Sequence, residues 1–196
     1  GEADWEALYQ GRPTKAEGSI FKSMWWKRFR VVPARFERKI MSVDSAFKPK
    51  EENDYTVIQT WGETGNAFYL LHQYRKRVGF PELKRALKDL YYEHKPDRVL
   101  IEDKASGQSL IQEMEAETTL PVFPVPVVAD KLTRAHAVSP LVEAGRVFIP
   151  EAAEWVAEFI DELTLFDKAE HDDQVDSLSQ ALAFLRTRSR PKVSVV

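Results

Sequence analysis

The chain has 196 residues, 43% of them hydrophobic and 30% charged, with a formal net charge of -3. That is enough apolar material for one ordinary domain with its own core, and too little net charge for either a uniformly basic nucleic-acid binder or an acidic disordered tail. No cysteine is present, which excludes disulfides, thiolate metal sites and a cysteine nucleophile, and no apolar run approaches membrane-spanning length. The four histidines include no His-x-x-x-His pair, which argues against a zinc hydrolase.

Charge is segregated along the chain. Lys15 to Lys39 holds eight Lys or Arg against Glu17 and Glu37, whereas Glu151 to Asp176 is mostly acidic. A basic arm and an acidic centre would suit a phosphate substrate held around cations, although solvated surface charge is the commoner fate of such runs.

In chain order, residues 1–35 read as a linking arm. Phe21-Lys22-Ser23-Met24-Trp25-Trp26-Lys27-Arg28 interleaves aromatic and basic side chains without clear periodicity, as a nucleic-acid arm would, or as a connector packing its tryptophans on the domain that follows; the connector is preferred. From Arg38 the alternation predicts a strand that delivers Asp44 at its C-terminal end. A second strand is predicted over Asp54–Trp61, a turn over Gly62–Asn66 and a third strand over Ala67–Tyr74, together an antiparallel meander. Leu83, Leu87, Leu90 and Tyr91 then recur at helical spacing from Phe80 to His94, with Pro81 at a permitted first-turn position.

Arg98–Glu102 is a short apolar strand ending in a second carboxylate, followed by a helix over Gln108–Glu115. A parallel partner strand is expected for it. Three prolines make Pro121–Val128 a short edge strand or an extended connection. Helices are predicted over Asp130–Glu143 and Glu151–Phe166, with a brief strand or extended turn at Arg146–Pro150 between them. The last periodic segment opens on His171-Asp172-Asp173-Gln174-Val175-Asp176, where Asp172 or Asp173 could cap the helix. Residues 36–188 make up the folded domain, and 189–196 read as a basic flexible tail.

Three acidic positions therefore arrive at element ends: Asp44, Glu102 and the Asp172/Asp173/Asp176 group. Carboxylates gathered at such an edge repel one another unless cations neutralise them. Oxygen ligands without His or Cys suit Mg²⁺ or Mn²⁺, and two such ions about 4 Å apart can assist phosphodiester displacement. The order of elements is that of an α/β, ribonuclease H-like fold: a central mixed β-sheet, an antiparallel three-strand meander plus parallel strands, flanked by helices.

Four stretches carry a family resemblance: Tyr9-Gln10-Gly11-Arg12-Pro13 with Gly18-Ser19-Ile20-Phe21-Lys22, Ser42-Val43-Asp44, Pro96 to Gly107, and His171 to Leu178. Lys131-Leu132-Thr133-Arg134-Ala135 and Glu143-Ala144-Gly145-Arg146-Val147 add to it. Through them the chain resembles the C-terminal nuclease domain of the large terminase subunit of tailed bacteriophages. The resemblance implies a metal-dependent endonuclease that cuts concatemeric double-stranded DNA with little sequence specificity, using two Mg²⁺ or Mn²⁺ ions, in the host cytoplasm. It makes Asp44, Glu102 and Asp173 the catalytic metal ligands, with Asp172 or Asp176 assisting at the second ion. Lys104, Lys131, Arg134 and Arg146 become candidate DNA contacts. The small terminase subunit, the portal and an ATPase domain are the implied partners, with no membrane. No Gly-x-x-x-x-Gly-Lys-Ser/Thr stretch occurs, so no ATP site is expected in this chain. The alternatives are a junction resolvase or transposase-like nuclease of the same fold, and a non-catalytic module docking on portal or DNA.

Overall fold

The computed structural model describes residues 20–45, 55–166 and 172–187. The resemblance stretch at Tyr9–Ser19, His171 and the basic tail from residue 189 lie outside them.

Seven strands form one mixed sheet in the order β1-β7-β4-β3-β2-β5-β6. At its centre β2 (Arg38–Asp44) pairs antiparallel with β3 (Thr56–Thr64) on one side and parallel with β5 (Arg98–Glu102) on the other. β4 (Ala67–Lys76) completes the meander, and β6 (Val122–Val125) runs parallel to β5 at the edge, where its proline needs no ladder partner. The predicted turn over Gly62–Asn66 shrinks to Gly65–Asn66, because Glu63 and Thr64 pair with Phe68 and Ala67. Gly65, at φ +58, supplies the left-handed residue that a two-residue hairpin requires.

Helix α1 (Phe80–His94) follows β4, and α2 (Ala105–Glu117) follows β5. Their apolar faces close a core with Met41, Val43, Ile58, Val99 and Ile101 on one side of the sheet. The other side is covered by α3 (Lys131–Glu143), α4 (Val156–Leu165) and α5 (Asp173–Leu185) over Ile40, Trp61, Leu70 and Leu100. Strand β7 (Val147–Pro150) joins β4 in parallel.

Part of the expected linking arm belongs to this unit. Phe21 is fully buried, Trp26 is 6% exposed and packs edge-on against Phe159 with ring centroids 5.3 Å apart. β1 (Lys27–Phe29) then extends the sheet beyond β7. Apolar burial of this kind ties residues 20–29 to the sheet and helices of the domain.

Candidate metal centre

The parallel pairing of β2 and β5 brings the C-terminal ends of both strands to the same edge of the sheet, and with them Asp44 and Glu102. Sequence separation is bridged here by register: Ser42 and Val43 lie opposite Leu100 and Ile101. Glu102 is held in place by an unusually close approach of α2. A Cβ on Gly107 would stand 1.9 Å from the Glu102 carbonyl oxygen, so only glycine lets the helix start this near the strand end.

The first turn of α5 supplies the remaining carboxylates, and α5 is fixed to β2 by reciprocal hydrogen bonds. Ser42 Oγ donates to the Ser177 carbonyl at 2.8 Å, Ser177 Oγ donates to the Ser42 carbonyl at 3.0 Å, and Gln180 Nε2 donates to Ser42 Oγ at 2.9 Å. Asp176, one residue before Ser177, is thereby placed beside the end of β2. Burial, then the charges of Asp176, Glu102 and Asp173, push the Asp44 carboxyl well above the usual carboxylate range, with Lys131 acting in the opposite sense. Four of the five carboxylates expected from three distant stretches, Asp44, Glu102, Asp173 and Asp176, thus meet in one electrostatic neighbourhood around Asp44.

Three cations meet them. Arg134 spans the site, donating from one terminal nitrogen to Glu102 at 2.8 Å and from the other to Asp176 at 2.6 Å. Lys131 Nζ contacts Asp172 at 2.5 Å and Asp176 at 2.6 Å, and Lys104 Nζ contacts Glu102 at 2.8 Å. Lys131 and Arg134 project from the first turn of α3, whose start is capped by Asp130 accepting from the Thr133 amide at 2.8 Å. Asp172, expected as a possible helix cap, makes no capping hydrogen bond; its carboxylate is taken by Lys131 instead. Arg146 stands apart. It sits at the start of β7, at the opposite end of the sheet, donating to the Asn66 carbonyl at 2.7 Å and lying over Phe68.

As the side chains stand, no group of three or more histidine or acidic residues among the described residues is arranged to hold a metal ion. The donor chemistry nevertheless fits a hard divalent cation: oxygen ligands only, and a half-buried Asp44 whose carboxyl is raised by loss of solvent and then by three neighbouring acids. Lys131 and Arg134 occupy the charge that such an ion would meet, and would have to yield it.

The support of α5 was not foreseen from the sequence. Glu162, on α4, accepts from the Gln174 amide at 2.8 Å and from Gln174 Nε2 at 2.5 Å. Burial is the first cause that raises its carboxyl above the ordinary value, opposed by these hydrogen bonds and by Arg75. Glutamines in strands and an acid in an amphipathic helix give no sequence signal of their own.

Residues 41–184 match the family model described as the Terminase RNaseH-like domain. The chain belongs to that family. Solved structures of terminase nucleases share the fold. The large terminase nuclease from thermophilic phage G20c with bound magnesium is 18% identical, covering 86% of this chain and 98% of its own, with a TM-score of 0.65. The same nuclease with bound zinc is 20% identical over 84% and 97% of the two chains, with a TM-score of 0.63. The large terminase from the thermophilic bacteriophage D6E is 15% identical with a TM-score of 0.62; this chain, 93% covered, spans 51% of its length. No curated protein matches the chain. The domain is thus a terminase RNaseH-like domain by family, with its sheet and helices in the arrangement of the solved terminase structures.

Proposed function

We propose that this terminase domain is a divalent-metal-dependent DNA endonuclease that cuts concatemeric double-stranded DNA during phage packaging. The observation that carries the reading is the convergence of Asp44, Glu102, Asp173 and Asp176 at one edge of the sheet, where burial first and then the three neighbouring acids raise the Asp44 carboxyl well above its ordinary value. The G20c nuclease structures with bound magnesium, cobalt and zinc lend support from the same fold.

In this reading Asp44, Glu102 and Asp173 hold the metal, with Asp176 or Asp172 assisting at a second position. Two Mg²⁺ or Mn²⁺ ions there would supply charge for the attacking water and the leaving oxygen of a phosphodiester. Lys104, Lys131 and Arg134 exchange their carboxylate partners for backbone phosphates as DNA enters, which neutralises the strand without reading bases and leaves cutting largely independent of sequence. Double-stranded DNA, the small subunit, the portal and an ATPase domain of the longer protein are the partners, in the host cytoplasm.

The ion pairs that occupy Glu102 and Asp176 favour a second reading, a module that docks on DNA or portal without cutting. Plasmid nicking with Mn²⁺ or Mg²⁺ separates the two: Asp44→Ala and Asp173→Ala abolish nicking if the domain is a nuclease. Equal nicking by wild type and both variants overturns the metal site.

A further inference from the structure

A one-way chain of hydrogen bonds runs beneath the carboxylates and ends on Glu162. Trp61 Nε1 donates to Gln59 Oε1 at 3.1 Å, Gln59 Nε2 to Gln73 Oε1 at 2.8 Å, Gln73 Nε2 to Gln174 Oε1 at 2.6 Å, and Gln174 Nε2 to Glu162 Oε2 at 2.5 Å. Gln59 and Gln174 are fully buried, Gln73 is 6% exposed and Glu162 is 8% exposed. An amide side chain is both donor and acceptor, so such a row has no preferred direction of its own. A group that only accepts, placed at its end, fixes the direction of every amide behind it. The ionised carboxylate of Glu162 is that group, and Arg75, 3.2 Å from it, supplies the matching charge.

Glu162 does a second thing with its other oxygen. Oε1 accepts the backbone N–H of Gln174, one of the donors that the first turn of a helix leaves without an internal partner. A cap of α5 therefore comes from α4, while Asp172 at the N-cap position makes no capping hydrogen bond. Gln174 lies between Asp173 and Asp176, so the residue that Glu162 grips through both its amide groups is set among the acids facing Asp44. Arg75 also stacks on Tyr55, 3.7 Å from the ring centroid, at the point where the chain rejoins the sheet after Asp44. Strands β3 and β4, helix α4 and the first turn of α5 are joined through one carboxylate.

We propose that Glu162 is a positioning residue of the nuclease centre, a carboxylate cap supplied by α4 that sets the rotation and height of the first turn of α5 and so aims Asp173 and Asp176 at the metal. The assignment rests on the metal-dependent nuclease reading above. Loss of such a supporting group weakens metal affinity by about 10–100-fold when the ligands themselves are intact. Gln in place of Glu162 keeps the shape but offers one acceptor oxygen for two donors and leaves Arg75 with Glu158 as its remaining charge partner.

The test compares wild type, Glu162→Gln and Ile149→Val, the last a core change in β7 remote from the acids. Calorimetric titration of each with Mn²⁺, below its unfolding temperature, and amide exchange over residues 173–178 are the readouts. Glu162→Gln is expected to bind Mn²⁺ about 10–100-fold more weakly and to exchange those amides about tenfold faster, with KM for DNA within about twofold of wild type. Ile149→Val should lower the melting temperature without changing either readout. Wild-type Mn²⁺ affinity and amide exchange in Glu162→Gln overturn the positioning role, even if its melting temperature falls. Absence of Mn²⁺ binding by wild type itself overturns the underlying metal reading, and the exchange data then stand as the separate measure of the cap.

Discussion

Arg134 and Asp176 form a 2.6 Å ion pair in which the guanidinium, 18% exposed, also reaches Glu102 with its other terminal nitrogen. One cation thus bridges two acids from different elements, β5 and α5, at the place where the resemblance puts a metal ion. Removing this bridge leaves Glu102 to Lys104 and Asp176 to Lys131, two partly buried acids with less compensating charge than before. Arg134→Gln should therefore destabilise the metal-free protein by about 2 kcal/mol, a drop on the order of 5 °C, discounted for partial exposure. Mn²⁺ should restore a larger share of the melting temperature in the variant than it adds to wild type. Thermal scans with and without Mn²⁺ check both signs; an equal Mn²⁺ increment in the two proteins would count against shared occupancy.

Asp44 makes the opposite case. It sits among Asp176, Glu102 and Asp173, with Lys131 lowering its carboxyl. Asp44→Asn keeps the shape and removes the repulsion. Without metal the variant should melt higher than wild type by a few degrees, about 1 kcal/mol, while plasmid cleavage falls by about a thousandfold or more. Paired melting and cleavage measurements decide it.

Gly107→Ala tests how Glu102 is delivered. The added methyl would meet the Glu102 carbonyl at 1.9 Å, so α2 or the end of β5 must move. A cost of roughly 1–3 kcal/mol is expected, with cleavage reduced well beyond what a comparable stability loss elsewhere produces. Urea unfolding beside single-turnover cleavage gives the comparison.

Lys131 and Arg146 should separate cleanly. Lys131 stands among Asp172 and Asp176, whereas Arg146 lies at the far end of the sheet against Asn66 and Phe68. Lys131→Ala is expected to lower cleavage about 10-fold or more and to flatten its salt dependence, and Arg146→Ala to leave both within about twofold.

His72 and His94 give the protein a pH signature away from the acids. Their rings lie 4.7 Å apart between β4 and the end of α1, and burial first of all lowers both below the ordinary histidine value. For His72 the nearby His94 acts in the same sense. For His94, Glu93 opposes the shift and Lys39 adds to it. Folded-state values lowered in this way mean that the unfolded chain binds more protons near pH 6. Stability is present above about pH 6.5 and is lost as pH falls through the folded values. The raised carboxyls of Asp44, Asp176 and Glu162 act in the opposite sense, so the difference between wild type and His72→Gln isolates the pair. Melting temperatures from pH 7.5 to 5.5 should fall less steeply in His72→Gln.

The element order was legible because periodicity is local. Helix α1 and strand β5 fall where alternation and 3.6-residue spacing put them, and Asp44 and Glu102 stand at strand ends as predicted. Boundaries slipped where a neighbour decided them: β3 runs on through Gly62 because β4 pairs with it, and α4 begins only at Val156. The fate of Lys27–Phe29 was set by β7, about 120 residues later, which no local pattern encodes.

What the sequence determined by itself was chemical: an oxygen-only, acid-rich set on three elements, without cysteine, arranged in ribonuclease H-like order. What only the tertiary structure decided was proximity. Parallel register between β2 and β5 puts Asp44 beside Glu102, and serine locks set α5 against them. Glu162 rather than Asp172 caps that helix, and Arg146 is sent to the far edge. Residue type and spacing are properties of the chain, but the distance between two side chains is fixed by pairing and packing with residues far away in it.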